Sequence, residues 1–175
     1  ILKISRPDID EQYLDFQIKI IQFINLKKST LDIPNIVLNK DGNEITKFVD
    51  RNKKVRKARL LTWIPGRIWG SVNPQSDKLR FSLGKKSGIM TCLLNGFEHK
   101  MSERKFDWDI AQSLWTKNHL HLFNKDDNEI LKYFIDEFES KIQNYKALRK
   151  SFIHNDINDN NIIVTEDLIN PQVST

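Results

Sequence analysis

Cysteine is nearly absent: Cys92 is the single one among 175 residues. One thiol excludes an intrachain disulfide framework and a cysteine-rich zinc site, and a reducing, cytoplasmic setting is the expectation. No apolar run approaches the roughly 20 residues of a membrane-spanning helix, so no membrane partner is expected. Glycine and proline are scarce, at 6 and 5 residues. With 39% hydrophobic and 29% charged residues, the composition is that of a globular chain, neither collagen-like nor disordered. His99, His119 and His121 have no zinc-ligand spacing with a carboxylate pair, which argues against a metal centre of that kind. No Gly-x-Gly-x-x-Gly or Walker spacing occurs, and Gly84 and Gly88 fall within a helical pattern as a packing face. Cys92 lies on the same apolar pattern and reads as a core residue. The four tryptophans, Trp63, Trp69, Trp108 and Trp115, read as core and hinge packing rather than a cage for a cation.

What is present is a basic balance, net +5, concentrated between Lys40 and Arg59. Lys53, Lys54, Arg56, Lys57 and Arg59 nearly adjoin and read as a solvated hairpin. No interleaved aromatics or recognition-helix pattern accompany them, so nucleic acid is not an expected partner.

The periodicity changes along the chain. Ile1-Leu2-Lys3-Ile4 alternates as a strand already under way. Pro7 and Asp8 mark a turn, and Leu14, Ile18, Ile21 and Ile24 give a helical stripe between Ile9 and about Lys28. Ile33 to Asn39, the Asp41-Gly42 turn signal and Glu44 to Val49 predict a β-hairpin. After a charged turn at Asp50 to Lys54, Val55 to Trp63 predicts a further strand, closed by Pro65-Gly66. From Pro74 the pattern is helical: Gln75 to about Phe97, a short helix through Trp115, and Asp126 to Leu148. Ile162-Ile163-Val164 predicts a strand, and Gln172 to Thr175 reads as one just starting. The expected fold class is α+β, with a sheet-plus-helix lobe over 1–64, a hinge or linker at 65–73 and a mostly helical lobe over 74–175. The two ends suggest a piece of a longer chain.

The segment richest in chemistry is 152–164. It holds His154-x-Asp156-x-x-x-x-Asn161 framed by apolar residues, and the kinase catalytic loop has that spacing. A hydroxyl attacking a γ-phosphoryl group must lose a proton, which a carboxylate can accept. An amide oxygen further along the loop, with four residues between it and that carboxylate, can meet Mg²⁺, a hard cation, without adding charge. The competing reading is an Asx-rich structural turn. Lys3, on an early strand before a helix, can reach nucleotide phosphates, and a carboxylate about twelve residues on, Asp15, could hold it. A solvated strand lysine is the alternative.

Together, Ile1-Leu2-Lys3-Ile4, Leu14-Asp15-Phe16-Gln17, Arg59-Leu60-Leu61-Thr62-Trp63-Ile64-Pro65-Gly66-Arg67, Phe106-Asp107-Trp108-Asp109 and His154 to Val164 resemble the aminoglycoside phosphotransferase/choline kinase-type family, with the protein-kinase-like two-lobed fold. The similarity is greatest to its hydroxylysine kinase branch, which also occurs fused to class III aminotransferases. The resemblance implies Asp156 as catalytic base, His154 as a brace of the loop and Asn161 as an Mg²⁺ ligand. It implies Lys3 at the phosphates of ATP or GTP with Asp15 as its partner. Leu61, Thr62 and Trp63 would form the hinge whose backbone pairs with the purine, and Trp108 and Asp109 would lie toward the acceptor. The implied acceptor is a small hydroxylated metabolite, an amino-alcohol such as hydroxylysine. Choline, homoserine or an aminoglycoside, or a non-catalytic nucleotide-binding pseudokinase, remain the alternatives. Two departures stand out. Asn155 occupies a position where the family usually has Gly. The glycine-rich loop and the second metal-binding aspartate are absent from the sequence, so the fragment alone is expected to be inactive.

Overall fold

The computed structural model describes residues 1–167 and 171–174. The architecture is α+β, as expected. Its contacts group into two compact units, Ile1–Met101 with Ser151–Thr175, and Ser102–Lys150.

The first unit is organised around one strand. β1 (Leu2–Ile4), β2 (Ile36–Val37) and β3 (Thr46–Val49) all pair antiparallel with β4 (Val55–Leu61). β1 takes one edge, with Lys3 opposite Arg59. β3 and then β2 take the other, from Val49↔Val55 to Ile36↔Leu61. The predicted hairpin between 33–39 and 44–49 is therefore not formed. The two segments follow one another along the same edge of β4, and 38–45 is an excursion between them. The Asp41-Gly42 signal closes that excursion on itself. The Asn39 side-chain oxygen accepts the N–H groups of Asp41 and Asn43, and Gly42 takes φ +79°. The true hairpin is β3–β4, turned at the charged segment 50–54. There the Asp50 carboxylate accepts from Asn52 and Lys54 and pairs with Arg56 at 2.6 Å. The Lys54 N–H, ahead of Arg56, holds the Asp50 carboxyl below its ordinary value.

The basic run is not uniformly solvated. Arg56 is tied to Asp50, the Lys57 ammonium donates to the Ile9 carbonyl at 2.7 Å, and Arg59 is buried.

α1 (Glu11–Leu26) starts at Asp10, whose side chain accepts the Gln12 N–H. It buries Leu14, Ile18 and Ile24 of the predicted stripe, and also Phe16. Phe16 is buried because α1 has a second neighbour: its ring lies 6.1 Å from Phe97, 5.3 Å from His99 and 5.9 Å from Phe152. α2 (Asp77–Leu94) is capped by Ser76, which accepts the Leu79 N–H, and ends before Gly96 at φ +79°. Cys92 sits exposed near its end, not in the core.

The predicted linker is structured. β5 (Arg67–Ile68) pairs with β6 (Ile163–Val164), followed by one 3₁₀ turn, Trp69–Ser71. Val173 bridges to Val164; Thr175 lies outside the described residues. Trp69, Val72, Leu79, Ile162, Val164 and Val173 form a buried cluster here. Trp69 is the tryptophan in a core; Trp63, Trp108 and Trp115 are exposed, contrary to expectation.

In the second unit, 3₁₀ turns run from Ile110 to Leu122, and α3 (Lys125–Lys146) is capped by Asn124. The apolar stripe expected on α3 is present, but Ile130 and Phe134 on it are exposed.

Gly66 is the tightest point of the β5–β6 contact. Its φ is +143°, and a Cβ there would stand 2.5 Å from both the Ile163 side chain and the Val164 carbonyl oxygen. Gly66→Ala combines backbone strain with overpacking and is expected to destabilise the fold by on the order of 2–4 kcal/mol, read as a shift of the denaturation midpoint.

Candidate active site

The catalytic-loop candidate is built from short-range hydrogen bonds between its own polar residues. The Asn161 side-chain NH₂ donates to the Asp156 backbone carbonyl at 3.0 Å and to its carboxylate Oδ2 at 2.7 Å. Asn158 donates to the other carboxylate oxygen at 2.6 Å. The Asp156 N–H reaches His154 Nδ1 at 3.3 Å, so the neutral ring carries its proton on Nε2. Backbone bonds from Asn158 to Asp156 and from Asn161 to Asn158 complete the turn. Both NH₂ hydrogens of Asn161 are thus engaged, which leaves its Oδ1 as the available acceptor. That is the atom type a hard cation takes. Among the described residues no group of three His, Cys, Asp or Glu side chains is preassembled for a metal ion. The donor set therefore suits a cation that arrives with phosphate oxygens of its own.

The loop is held from outside by β5–β6 and the 3₁₀ turn. The Gly70 and Trp69 N–H groups donate to the Asp159 and Ile162 carbonyls at 3.1 and 2.9 Å. Its entry is held by Phe152, whose ring meets Phe16 and Phe97. Asn155 sits at φ +58°. This left-handed conformation is free for glycine and, among other residues, easiest for asparagine.

A cavity of about 230 Å³ opens beside the loop. Its walls include His154, Asn161, Ile163, Ile1, Trp63 and Ile64, and are mostly apolar. Of the three expected hinge residues, Leu61 has its N–H and C=O engaged with Ile1. Thr62 bonds Asn35 through both its N–H and its hydroxyl. The N–H and C=O of Trp63 make no hydrogen bond among the described residues, so Trp63 offers the open backbone edge.

Lys3 and Asp15 are both in this unit but are not joined in an ion pair. Lys3 is exposed on β1. The Asp15 carboxylate instead meets His99 Nε2 at 3.0 Å. Trp108 and Asp109 belong to the second unit. There Trp108 is exposed, and the Asp109 carboxylate caps the 3₁₀ turns, accepting from Ala111 N–H and Gln112 Nε2.

Sequence reading missed two residues. His99 has no local signal: it meets Asp15 across 84 positions. Arg59 reads as one cation of a surface run, but is 7% exposed, opposite Lys3, with its Nε lacking a hydrogen-bond partner. Burial lowers its pKa, against a smaller opposing effect of Tyr13.

A model described as "Phosphotransferase enzyme family" matches residues 1–172. Hydroxylysine kinase of Xenopus laevis is 25% identical over 138 residues, 73% of this chain and 37% of that protein. An amicoumacin kinase solved in complex with AMP-PNP, Ca²⁺ and Ami matches with a TM-score of 0.68 and 17% identity, over 98% of this chain and 52% of that one. The fold is accordingly kinase-like, and the chain spans roughly a third to a half of these relatives' lengths.

Asn155→Gly is expected to change stability by less than about 1 kcal/mol, whereas Asn155→Val, β-branched at φ +58°, is expected to cost about 1–2 kcal/mol more. Denaturant midpoints of the two variants check this.

Proposed function

The chain belongs to the phosphotransferase enzyme family, and from that footing we propose that it serves transfer of the γ-phosphoryl group of ATP or GTP to a hydroxyl of a small amino-alcohol of the hydroxylysine kind. The observation that carries this reading is the grip of Asn161 on Asp156, which holds a carboxylate beside the free amide oxygen of a residue that lines the cavity.

In this reading residues 1–64 are the nucleotide-side lobe, 65–73 the connector and 74–175 the acceptor-side lobe. The Trp63 backbone pairs with the purine edge, and the apolar cavity walls exclude water from its faces. Lys3 meets the phosphates, with Asp15 to orient its ammonium. Asp156 takes the proton as the acceptor oxygen bonds to phosphorus and the bridging oxygen leaves with the nucleoside diphosphate. His154 keeps the loop turned by accepting the Asp156 N–H. Asn161 Oδ1 would hold Mg²⁺, which offsets the charge of the phosphate oxygens when bound. Trp108 and Asp109 serve the acceptor side. The amino-alcohol acceptor is supported by the likeness to a hydroxylysine kinase. The single thiol suits a cytoplasmic setting, and no described helix is long and apolar enough to cross a membrane.

In the full-length protein, Asp156→Asn is expected to lower turnover by about 10²–10⁴-fold with nucleotide affinity within about twofold of wild type. Unchanged turnover would remove Asp156 from the chemistry. In an acceptor panel of hydroxylysine, choline, homoserine and an aminoglycoside, hydroxylysine is expected to give the highest kcat/KM; another leader reassigns the acceptor.

A further inference from the structure

We propose that His99 is a positioning residue for the nucleotide site, acting through Asp15. The inference rests on the functional reading above and extends it to a residue outside every recognised motif.

The geometry defines the direction of each bond. His99 Nδ1 accepts the Met101 N–H at 3.1 Å, so a neutral ring must carry its hydrogen on Nε2. That Nε2 lies 3.0 Å from Asp15 Oδ2. The neutral imidazole therefore donates to the carboxylate without any need to be charged. The ring is also held on its faces. Its side chain is 10% exposed, stacked at 3° interplanar angle on Phe97 and 5.3 Å from Phe16. A donor fixed by one backbone bond and two aromatic rings is a rigid anchor rather than a passing contact.

Asp15 is in turn left with a defined free side. Oδ2 is taken by His99, and Oδ1 makes no hydrogen bond among the described residues. The carboxylate is 41% exposed. It is thus oriented and still open on one oxygen, the state needed to receive the ammonium of Lys3 when phosphates draw that lysine in.

The identity of the residue explains why an anchor is needed. Aspartate is one carbon–carbon bond shorter than the glutamate common in kinases, roughly 1.5 Å less reach. A short acid tolerates little drift of its helix. His99 and the rings of Phe16, Phe97 and Phe152 tie α1 to the segment after α2 and to the entry of the catalytic loop. The same cluster thereby holds the helix that carries Asp15 and the start of the loop that carries Asp156.

The test uses the full-length protein and titration with a non-hydrolysable ATP analogue and Mg²⁺, alongside steady-state kinetics and Tm. Three substitutions define it. His99→Phe keeps the ring but deletes the donor; His99→Gln returns an N–H donor; Asp15→Ala removes the recipient. His99→Phe is expected to weaken analogue binding and raise nucleotide KM about tenfold, with kcat changed less than about threefold. His99→Gln is expected to recover most of the loss. In the Asp15→Ala background His99→Phe is expected to change affinity by less than about twofold. An equal tenfold loss in that background, or no loss in the wild-type background, overturns the proposal. So does a loss in which Tm falls and His99→Gln restores Tm without restoring affinity. Lys3→Met separates the two readings. If it weakens analogue binding at least tenfold while His99→Phe does not, the functional reading stands and this proposal falls. If neither Lys3→Met nor His99→Phe alters binding, or the wild type binds no analogue, both fall.

Discussion

The carboxamide of Asn161 is the constraint on which the candidate site depends. It donates to the backbone and to the carboxylate of the same residue, Asp156. An exposed six-residue loop in which all but Ile157 are Asn or Asp has many ways to satisfy its polar groups with water. A two-point grip removes that freedom, because any rotation of the carboxylate or slip of the backbone breaks at least one of the two bonds, the one to the carboxylate being charge-assisted. The strand that follows, β6, gives the amide its fixed origin, and Gly66 admits β6 close enough to do so. Loop chemistry and sheet packing are thus one mechanical system.

A second tie runs from the opposite side. Phe16, Phe97 and Phe152 come from a helix, a post-helical segment and the loop entry. Each pair lies within 5.0–6.1 Å. Offset and edge-on aromatic pairs of this kind contribute about 0.5–1.5 kcal/mol each beyond their buried area. Their larger effect is geometric, since the position of α1 cannot change without displacing the ring that leads into His154 and Asp156.

Elements governed by local chemistry were legible in the sequence. The α1 stripe and the turn at 50–54 follow from residues within a few positions of one another. The turn at 154–161 is local in the same way: the hydrogen bonds among His154, Asp156, Asn158 and Asn161 span five residues or fewer. What escaped was decided by distant partners. Asp41-Gly42 is a sound turn signal, yet β4 outcompeted the local pairing and drew both flanking segments to its own edge. The β5–β6 pairing within 65–73 leaves no sequence signal because β5 is two residues long and its partner lies nearly a hundred positions on. His99 carries no neighbouring motif, and the burial of Arg59 and the meeting of His99 with Asp15 arise only once the chain is folded. Exposed Trp63, Trp108 and Trp115 show the reverse case, in which side-chain type argued for burial and position decided otherwise.

The lone thiol has a practical consequence. Cys92 is exposed on the last turn of α2, next to Leu93, and the Leu93 and Asn95 carbonyls receive the ammonium of Lys27 from just beyond the end of α1. A maleimide dye or nitroxide would therefore attach at one defined point. From there it would report on the seam between the two helices, with no second thiol among residues 1–175 to compete for it.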